Sequence, residues 1–500
     1  MKLIPLFVIL PLAAAFLISL LGKQKRFFCD IASASITFIL FVISLATIFN
    51  INSQILPMIY KVGGWLPPMG LPLVVDNLTA FMLLIVNFIA FIVSLYSINY
   101  MEKFTAKLKF YTLFLLMLGG MNGVLISGDI FNLYVFFELA SIASYALVAY
   151  GNKAEELEAA FKYMAMGAVG SLFILLGIAF LYSNASTLNM ADLSQVLSAQ
   201  GTNKAVTFVG ILFILGFGIK TAIVPFHAWL ADAYPAAPAP ISAMLAGVVT
   251  KSLGIYSIVR IFFNIFGVNP SFLNLLMFLG ALSIIVGGLL ALGQTDTKRM
   301  FAYSSISQVG YIILGLGIGT PLGILGALFH LFNHSMFKSL LFLNSGAIEY
   351  ATGTRNLEKL GGLREKMPVT ANTSLIASMA VSGIPPFNGF FSKLLIIFAC
   401  IKSNHIGYGI WAIVGSVLTI SYFMKFQKNA FFGPLPKELK DAKEVPFLMQ
   451  ASMIILSIVC LLGGMVMLPK ISNYFTEPAK TVLVQGKDYS NLIFKVLNEK

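Results

Sequence analysis

GFGIKTAIVPFHAW (Gly216–Trp229) and VSGIPPFNGFFSK (Val381–Lys393) decide the fold of this chain. Each is apolar enough to lie inside a membrane, yet each carries a Pro-Phe pair, Pro225–Phe226 and Pro386–Phe387, beside a lysine. Proline removes a backbone donor and clashes with the preceding turn, so a helix stops or bends there. Within a bilayer such a break is tolerated where neighbouring helices, polar side chains or water satisfy the freed carbonyls. Interruptions at matching points of two halves predict an inverted repeat with ion sites at the breaks. Ordinary proline kinks are the competing reading.

The sequence around them demands lipid. Of its 500 residues 58% are hydrophobic and 11% charged, with mean hydropathy +0.89, whereas a soluble domain carries roughly 25% charged residues. A single water-soluble core stops growing at about 250–300 residues and could not hide this much apolar surface. Runs of bilayer length, roughly 20 apolar residues, recur about fourteen times. The first, 3–22, follows Lys2 as a signal peptide would. It is too long for a signal's apolar core, and Ala13–Ala15 sit in its middle, so it reads as a retained membrane helix.

A net charge of +13 would suit nucleic acid, but the basic residues sit in short loops between apolar runs. Lys23, Lys25 and Arg26 follow the first run; Lys103, Lys107 and Lys109 follow the third. Further alternate loops hold Lys298 and Arg299, then Arg355, Lys359, Arg364 and Lys366, then Lys428, Lys437, Lys440 and Lys443. The intervening loops hold little beyond Lys61, Lys204 and Lys402. This alternation places the basic loops in the cytoplasm and both termini outside. The basic tail after Lys470 runs against it. Cys29, Cys400 and Cys460 are far apart and form no CxxC pair, so no disulfide framework, metal site or iron–sulfur cluster is expected.

Charges inside the apolar runs carry the function. An ionisable group at mid-bilayer costs about 2.5–3.5 kcal/mol on insertion scales and by default faces a wet interior and serves transport. Four stand out: Glu138, Lys220, Lys251 and Lys393. Tyr134, Glu138, Ser141 and Tyr145 recur at helical spacing as one polar stripe. Hydrogen-bonding glue between helices is the bland alternative, but serine would serve it without a charge. For Lys393 the alternative is snorkelling to an interface. In FHLFNHSMFKSLLFLNSG, His330, His334 and Lys338 share one face at i, i+4 and i+8. The histidine spacing is that of a zinc-protease helix, yet Leu331 stands where the glutamate belongs and no third ligand is evident. A proton relay fits better, since neutral imidazole both accepts and donates. Ser304, Ser307, Gln308 and Tyr311 form another stripe suited to holding water. His227, directly after Pro225–Phe226, is a gate or an interfacial residue; His405 reads as an inert loop residue. No nucleotide-binding loop completes itself: Gly218–Thr221 lacks the glycine-rich lead of a P-loop.

Phe137–Tyr145 with Glu138, the block GIKTAIVPFHAWLADAYPAAPAPISAMLAGVVTKSLG and SGIPPFNGFFSK together resemble the antiporter-like subunits of respiratory complex I, Mrp-type sodium/proton antiporters and membrane-bound hydrogenases. The resemblance covers nearly the whole chain, and GGWLPPMGLPLVVDNLTAF (Gly63–Phe81) is most similar to the D subunit of Mrp antiporters and its hydrogenase counterpart. It implies an all-α polytopic membrane protein with two inverted five-helix repeats, each with a broken helix. Residues 1–109 would be N-terminal membrane helices, 110–265 and 266–432 the repeats, and 433–500 a last helix and tail. Position by position, Glu138 would pair with Lys220, Lys251 would be the central lysine, His330, His334 and Lys338 would continue the relay, and Lys393 would end it. The expected function is proton translocation within a multisubunit membrane complex. That complex would be an Mrp-type Na+/H+ antiporter or, alternatively, a pumping redox enzyme whose catalytic site lies in other subunits. Its partners would be other membrane subunits and protons, with sodium as a second candidate ion, and no cofactor in this chain.

Overall fold

The computed structural model describes residues 3–22, 26–53, 56–65, 70–104, 106–201, 204–486 and 488–498. Lys2, Lys23 and Lys25 lie outside them, as do residues 66–69 of the Gly63–Phe81 segment and the side chain of Arg26. The apolar runs are helical: α1 (Leu6–Leu21), α2 (Arg26–Asn52), α3 (Asn77–Tyr100), α4 (Lys107–Ile126), α5 (Ile130–Val148) and α6 (Ala154–Ala185). A short α7 (Met190–Gln200) precedes α8 (Lys204–Thr221), α9 (Ala228–Ala236) and α10 (Ala239–Ile265). Then come α11 (Pro270–Leu292), α12 (Thr297–Gly317), α13 (Pro321–Thr352), α14 (Pro368–Ser382), α15 (Asn388–Lys402), α16 (Ile406–Phe432) and α17 (Phe447–Met467). Two small helices, α18 (Thr476–Val484) and α19 (Asp488–Asn498), end the chain. Among the described residues 11 helices are long and apolar enough to cross a bilayer. The expected fourteen is therefore not reached by length and composition, because α1 is short, α13 is more polar and α14–α15 is split.

One element departs from all-α. Met58–Lys61 (β1) and Pro72–Val75 (β2) pair antiparallel, Met58 opposite Val75 and Lys61 opposite Pro72. These strands are four residues each, too short for alternation to reveal them.

Caps fix where helices begin. Asp76 accepts from Thr79 N–H ahead of α3, and Asp129 accepts from Phe131 and Asn132 N–H ahead of α5. Asp296 accepts from Arg299 N–H ahead of α12. Each satisfies backbone donors that the first turn leaves free. Asp129 bridges Asn189, and Asp296 bridges Asn356, by isolated antiparallel pairs. The same sequence offset separates the two aspartates and the two asparagines.

The two breaks share their backbone chemistry too. After α8, Ala222 N–H bonds Ile219 O and Ile223 N–H bonds Gly218 O; after α14, Gly383 N–H bonds Ala380 O and Ile384 N–H bonds Met379 O. Both are the paired reverse bonds of a Schellman ending, with left-handed φ of 58° at Ala222 and 79° at Gly383. The helix thus stops before Pro225 and Pro386, rather than at them.

At the centre, α10 is wholly buried and α12 nearly so, while Gly323–Ile348 of α13 are buried throughout. Outward-facing Phe161, Leu172, Phe208, Phe278, Ile410 and Val417 remain exposed. Apolar patches of that extent need lipid or partner subunits around them.

Candidate functional site

Glu138 projects from α5 toward the end of α8. Its carboxylate lies 3.8 Å from Lys220 Nζ and accepts a short hydrogen bond from Ser171 Oγ of α6. Lys220 donates to Ser141 Oγ at 3.2 Å and Tyr145 Oη at 3.0 Å, and its ammonium stands 4.7 Å from the Phe137 ring centre. The stripe expected on α5 therefore delivers three of its four members; Tyr134 stays partly exposed. The Lys220 side chain is 3% exposed and that of Glu138 27%, so the pair opens outward on its acidic side.

Lys251 lies in the middle of α10, fully enclosed, donating to Ala246 O and to Thr250 Oγ1. The helix around it is not plain α: Leu245–Val249 and Lys251–Ile255 are π-helical. Such widened turns appear frequently at functional sites, and they redirect side chains and carbonyls.

On α13, Lys338 Nζ donates to Ser304 Oγ at 2.6 Å and Phe301 O at 3.2 Å, both on α12. Ser304 in turn meets Tyr422 Oη of α16 at 2.8 Å. His330 Nδ1 meets Ser392 Oγ of α15 at 2.9 Å. Its Nε2 and both nitrogens of His334 lack a hydrogen bond of ordinary geometry, as do Asn333 Oδ1 and Gln308 Oε1. Electrostatically His334 couples to Lys251 and Lys338, and His330 to Lys338 and Lys393. Lys393 Nζ reaches Ser382 O at 3.4 Å and faces the Tyr311 ring at 4.8 Å.

The predicted residues thus form one set in two groups, Glu138 with Lys220 and Lys251 with His334, His330, Lys338 and Lys393, carried by α5, α8, α10, α13 and α15. His227 is not in it; half-buried, it precedes α9 at the edge of the first break. Of the α12 stripe, Ser304 bonds Lys338 and the Tyr311 ring faces Lys393. Ser307 bonds Ile284 O, Gln308 donates to Thr419 Oγ1, and Tyr311 Oη meets Ala412 O and Ser416 Oγ, holding α12 to its neighbours.

The sequence profile described as NADH:quinone oxidoreductase/Mrp antiporter, transmembrane, matches residues 127–419, which carry all of these residues. A second, described as the N-terminus of complex I chain 5, matches 65–111. The chain belongs to the NADH:quinone oxidoreductase/Mrp antiporter family. The N subunit of NADH-quinone oxidoreductase from Desulforudis audaxviator is 38% identical over 387 residues, 76% of this chain and 77% of that one. The D subunit of the Na(+)/H(+) antiporter from Alkalihalophilus pseudofirmus is 36% identical over 377 residues, 75% and 76%. Among solved structures, a chain of the Mrp complex from Dietzia sp. superposes with a TM-score of 0.92 at 26% identity, covering 98% of this chain and 99% of its own.

Within this family fold, three ion pairs with a buried cation escaped the sequence reading. Arg260 of α10 grips Asp76 with Nη1 at 2.7 Å and Nη2 at 2.9 Å, and also holds Thr79 and Asn264. Lys107 meets Asp30 at 3.0 Å, with Tyr111 Oη donating to Asp30 at 2.6 Å. Lys298, which reads in the sequence as a loop charge, is 2% exposed and meets Glu349 at 2.9 Å. Arg260 carried a signal, since it lies within the same apolar run as Lys251; Asp30 and Lys107 sit at run edges, where a charge looks solvated.

Proposed function

We propose that this chain is the proton-translocating subunit of a multisubunit membrane complex, of the kind formed by the D subunit of Na+/H+ antiporters. One observation carries the reading. Four helices carry buried lysines and histidines, and a fifth one carboxylate, into the interior of one apolar bundle. A protein that needed helix glue alone would use hydroxyls and amides, since each buried charge costs several kcal/mol unless paired. His330 and His334 lie among Lys251, Lys338 and Lys393, and the orphaned polar atoms beside them are sites for bridging water.

Glu138 and Lys220 form the switch at one end. At 3.8 Å their attraction is worth about 4 kcal/mol at an effective dielectric near 20. Loosening that contact and moving a proton along Lys251, His334 and Lys338 are coupled steps. The partly exposed Glu138 needs a neighbouring membrane subunit against it, because a carboxylate does not face lipid. We divide the chain into 1–109, two inverted repeats at 110–265 and 266–432, and 433–500. Basic loops face the cytoplasm and both termini lie outside. His227 is proposed as a gate residue of the first break.

A second reading, a pumping subunit of a respiratory redox enzyme, is favoured by the relative that is named as a subunit of NADH-quinone oxidoreductase. Purifying the native complex in mild detergent separates the two: iron–sulfur partners support the redox enzyme, and small colourless membrane subunits the antiporter. For either, Glu138→Ala or Lys220→Ala is expected to abolish proton transport in vesicles while the complex still assembles. Wild-type transport by either variant sinks the assignment.

A further inference from the structure

A cavity of about 420 Å³ opens on the basic-loop side, walled by the turn before α6, residues 236–238 after α9, the start of α12 and the loop after α13. It is floored by charge. Glu349, near the end of α13, is about one-third exposed and meets the buried Lys298 at 2.9 Å and Arg355 Nε at 3.9 Å. Both cations also grip the chain leaving the first break: Arg355 Nη1 donates to Pro235 O at 2.6 Å and Lys298 Nζ to Ala237 O at 3.2 Å.

From that point a polar track leads inward. Ala237 O also accepts from Ser242 Oγ at 3.1 Å, and Ser242 Oγ bonds Tyr234 O at 2.7 Å. Tyr234 Oη donates to Leu245 O at 3.0 Å, which also accepts from Thr250 Oγ1 at 3.3 Å. Thr250 Oγ1 is 3.0 Å from Lys251 Nζ. Every residue on the track is buried. The first π-helical stretch, Leu245–Val249, lies between its two ends.

We propose that this cavity is the aqueous port through which protons from the basic-loop side reach Lys251, with Glu349 as the carboxylate that accepts them. A proton from water forms an O–H bond on Glu349; the Lys298 contact loses its anionic partner and loosens. The proton leaves Glu349 along the Ser242–Tyr234–Thr250 track, with bridging water, and is bound by the Lys251 amine as an ammonium hydrogen. One proton enters and one carboxylate is restored. The inference rests on the transport reading above and adds an entry site that the buried lysines and histidines do not supply.

The groups facing Glu349 come from every wall. From α12 and its cap they are Lys298 and Asp296; from the following loop, Arg355. The turn into α6 brings Lys153, Glu155 and Glu156, and α3 with the turn after it brings Tyr96, Tyr100 and Lys103. Cations dominate the near contacts and oppose protonation, so Glu349 takes a proton only as the Lys298 and Arg355 contacts loosen.

The test uses the whole complex in membrane vesicles, with proton flux read by a pH-sensitive dye. Removing a proton acceptor at an entry should slow transport about tenfold or more, and most at alkaline pH, where protons are scarce. Glu349→Gln is expected to show that pH-dependent loss, and Glu349→Asp to restore the profile. A pure ion-lock role would instead lower the rate equally at every pH, and that result overturns the proposal. Should Glu349→Gln fail to assemble, Thr354→Cys in the cavity wall gives an independent measurement, because the native Cys29, Cys400 and Cys460 are buried. A charged methanethiosulfonate added on the basic-loop side is expected to block flux by this variant. Full labelling with unchanged flux overturns the port. If Glu138→Ala also transports normally, the transport reading itself has failed; if only the Glu349 and Thr354 tests fail, the port alone is wrong.

Discussion

Gly167 is where the Glu138–Lys220 switch can be disturbed without touching either charge. An alanine Cβ there would stand 2.0 Å from Tyr145 Oη and 2.8 Å from its Cζ. No real contact is that short, so the tyrosine ring must withdraw by about 1 Å or more, or α6 must separate from α5. Tyr145 Oη is one of two hydroxyls bonded to Lys220, at 3.0 Å. A hydrogen bond to a charged group is worth about 1.5–3 kcal/mol, and each 1.36 kcal/mol is tenfold in rate, so Gly167→Ala should slow transport by about 10- to 150-fold. Helix propensity works the other way, because alanine is better than glycine by about 1 kcal/mol in a helix interior. A loss of transport with unchanged or raised thermal stability is therefore the expected signature. The assay is proton flux in vesicles for Gly167→Ala, Tyr145→Phe and the pair. Tyr145→Phe removes the bond and the nearest clashing atom; the ring must still give way at Cζ but has no bond left to lose, so the double variant should transport little worse than the tyrosine variant alone. Wild-type flux in Gly167→Ala, or strictly additive losses in the pair, would refute the reasoning.

Other outcomes follow from the ion pairs and the π-helical turns. Asp30→Ala strands Lys107 beside Tyr111 in an apolar setting, and the loss should be about 3–5 kcal/mol, read as a lower melting temperature in detergent or loss of assembly. Replacing Asp129 with alanine removes the acceptor for two N–H groups at the start of α5 and should cost about 0.5–2 kcal/mol of stability without altering the transport rate of the assembled complex. At Gly247, between Ala246 and Val248 in the first π-helical stretch, a Cβ would lie 2.1 Å from Ser339 Oγ; Gly247→Ala should push α10 off α13 and reduce flux even though no charge has changed.

Much of this site is legible in the sequence. Glu138 stands out because helix glue, the bland alternative, needs no charge in an apolar run, and its stripe-mates Ser141 and Tyr145 are what Lys220 binds. The lysines and histidines stand out for the same reason. What the sequence hides depends on tertiary contact. Whether Ser307 faces water or Ile284 O is decided by the crossing of α11 and α12, where Gly287 and Gly310 let the backbones meet. The π-helical turns of α10 have no residue signature, since they are set by what packs around a wholly buried helix. Lys298 misleads because a lysine beside Arg299 after an apolar run looks like a topology signal; the chain folds back over it, and only the structure shows Glu349 closing on it.

The two broken helices also resolve a puzzle in where their lysines sit. Lys220 lies before its break, in the last turn of α8, while Lys393 lies after its break, inside α15. Yet Lys393 Nζ reaches back to Ser382 O, the last carbonyl of α14. Both lysines thus belong to the C-terminal end of the first half-helix, Lys220 by its place in the last turn of α8 and Lys393 by its reach to Ser382 O; unpaired carbonyls there carry roughly half a negative charge and stabilise a cation by about 0.3–1 kcal/mol, up to about 2 kcal/mol when partly buried. The second break needs extra room for this reach, and Gly383 provides it. Its φ is +79°, and a Cβ would lie 3.0 Å from Lys393 Cδ. The equivalent turn of the first break accepts Ala222 at φ 58°, so left-handed backbone alone does not forbid alanine; it costs on the order of 1 kcal/mol. Gly383→Ala should therefore cost more than that in thermal stability, because the lysine stem must also move, and the excess should vanish when Lys393→Ala removes the stem. Equal losses from Gly383→Ala with and without the Lys393 side chain would mean that the glycine serves the turn alone, and that the lysine's place at the end of α14 is incidental.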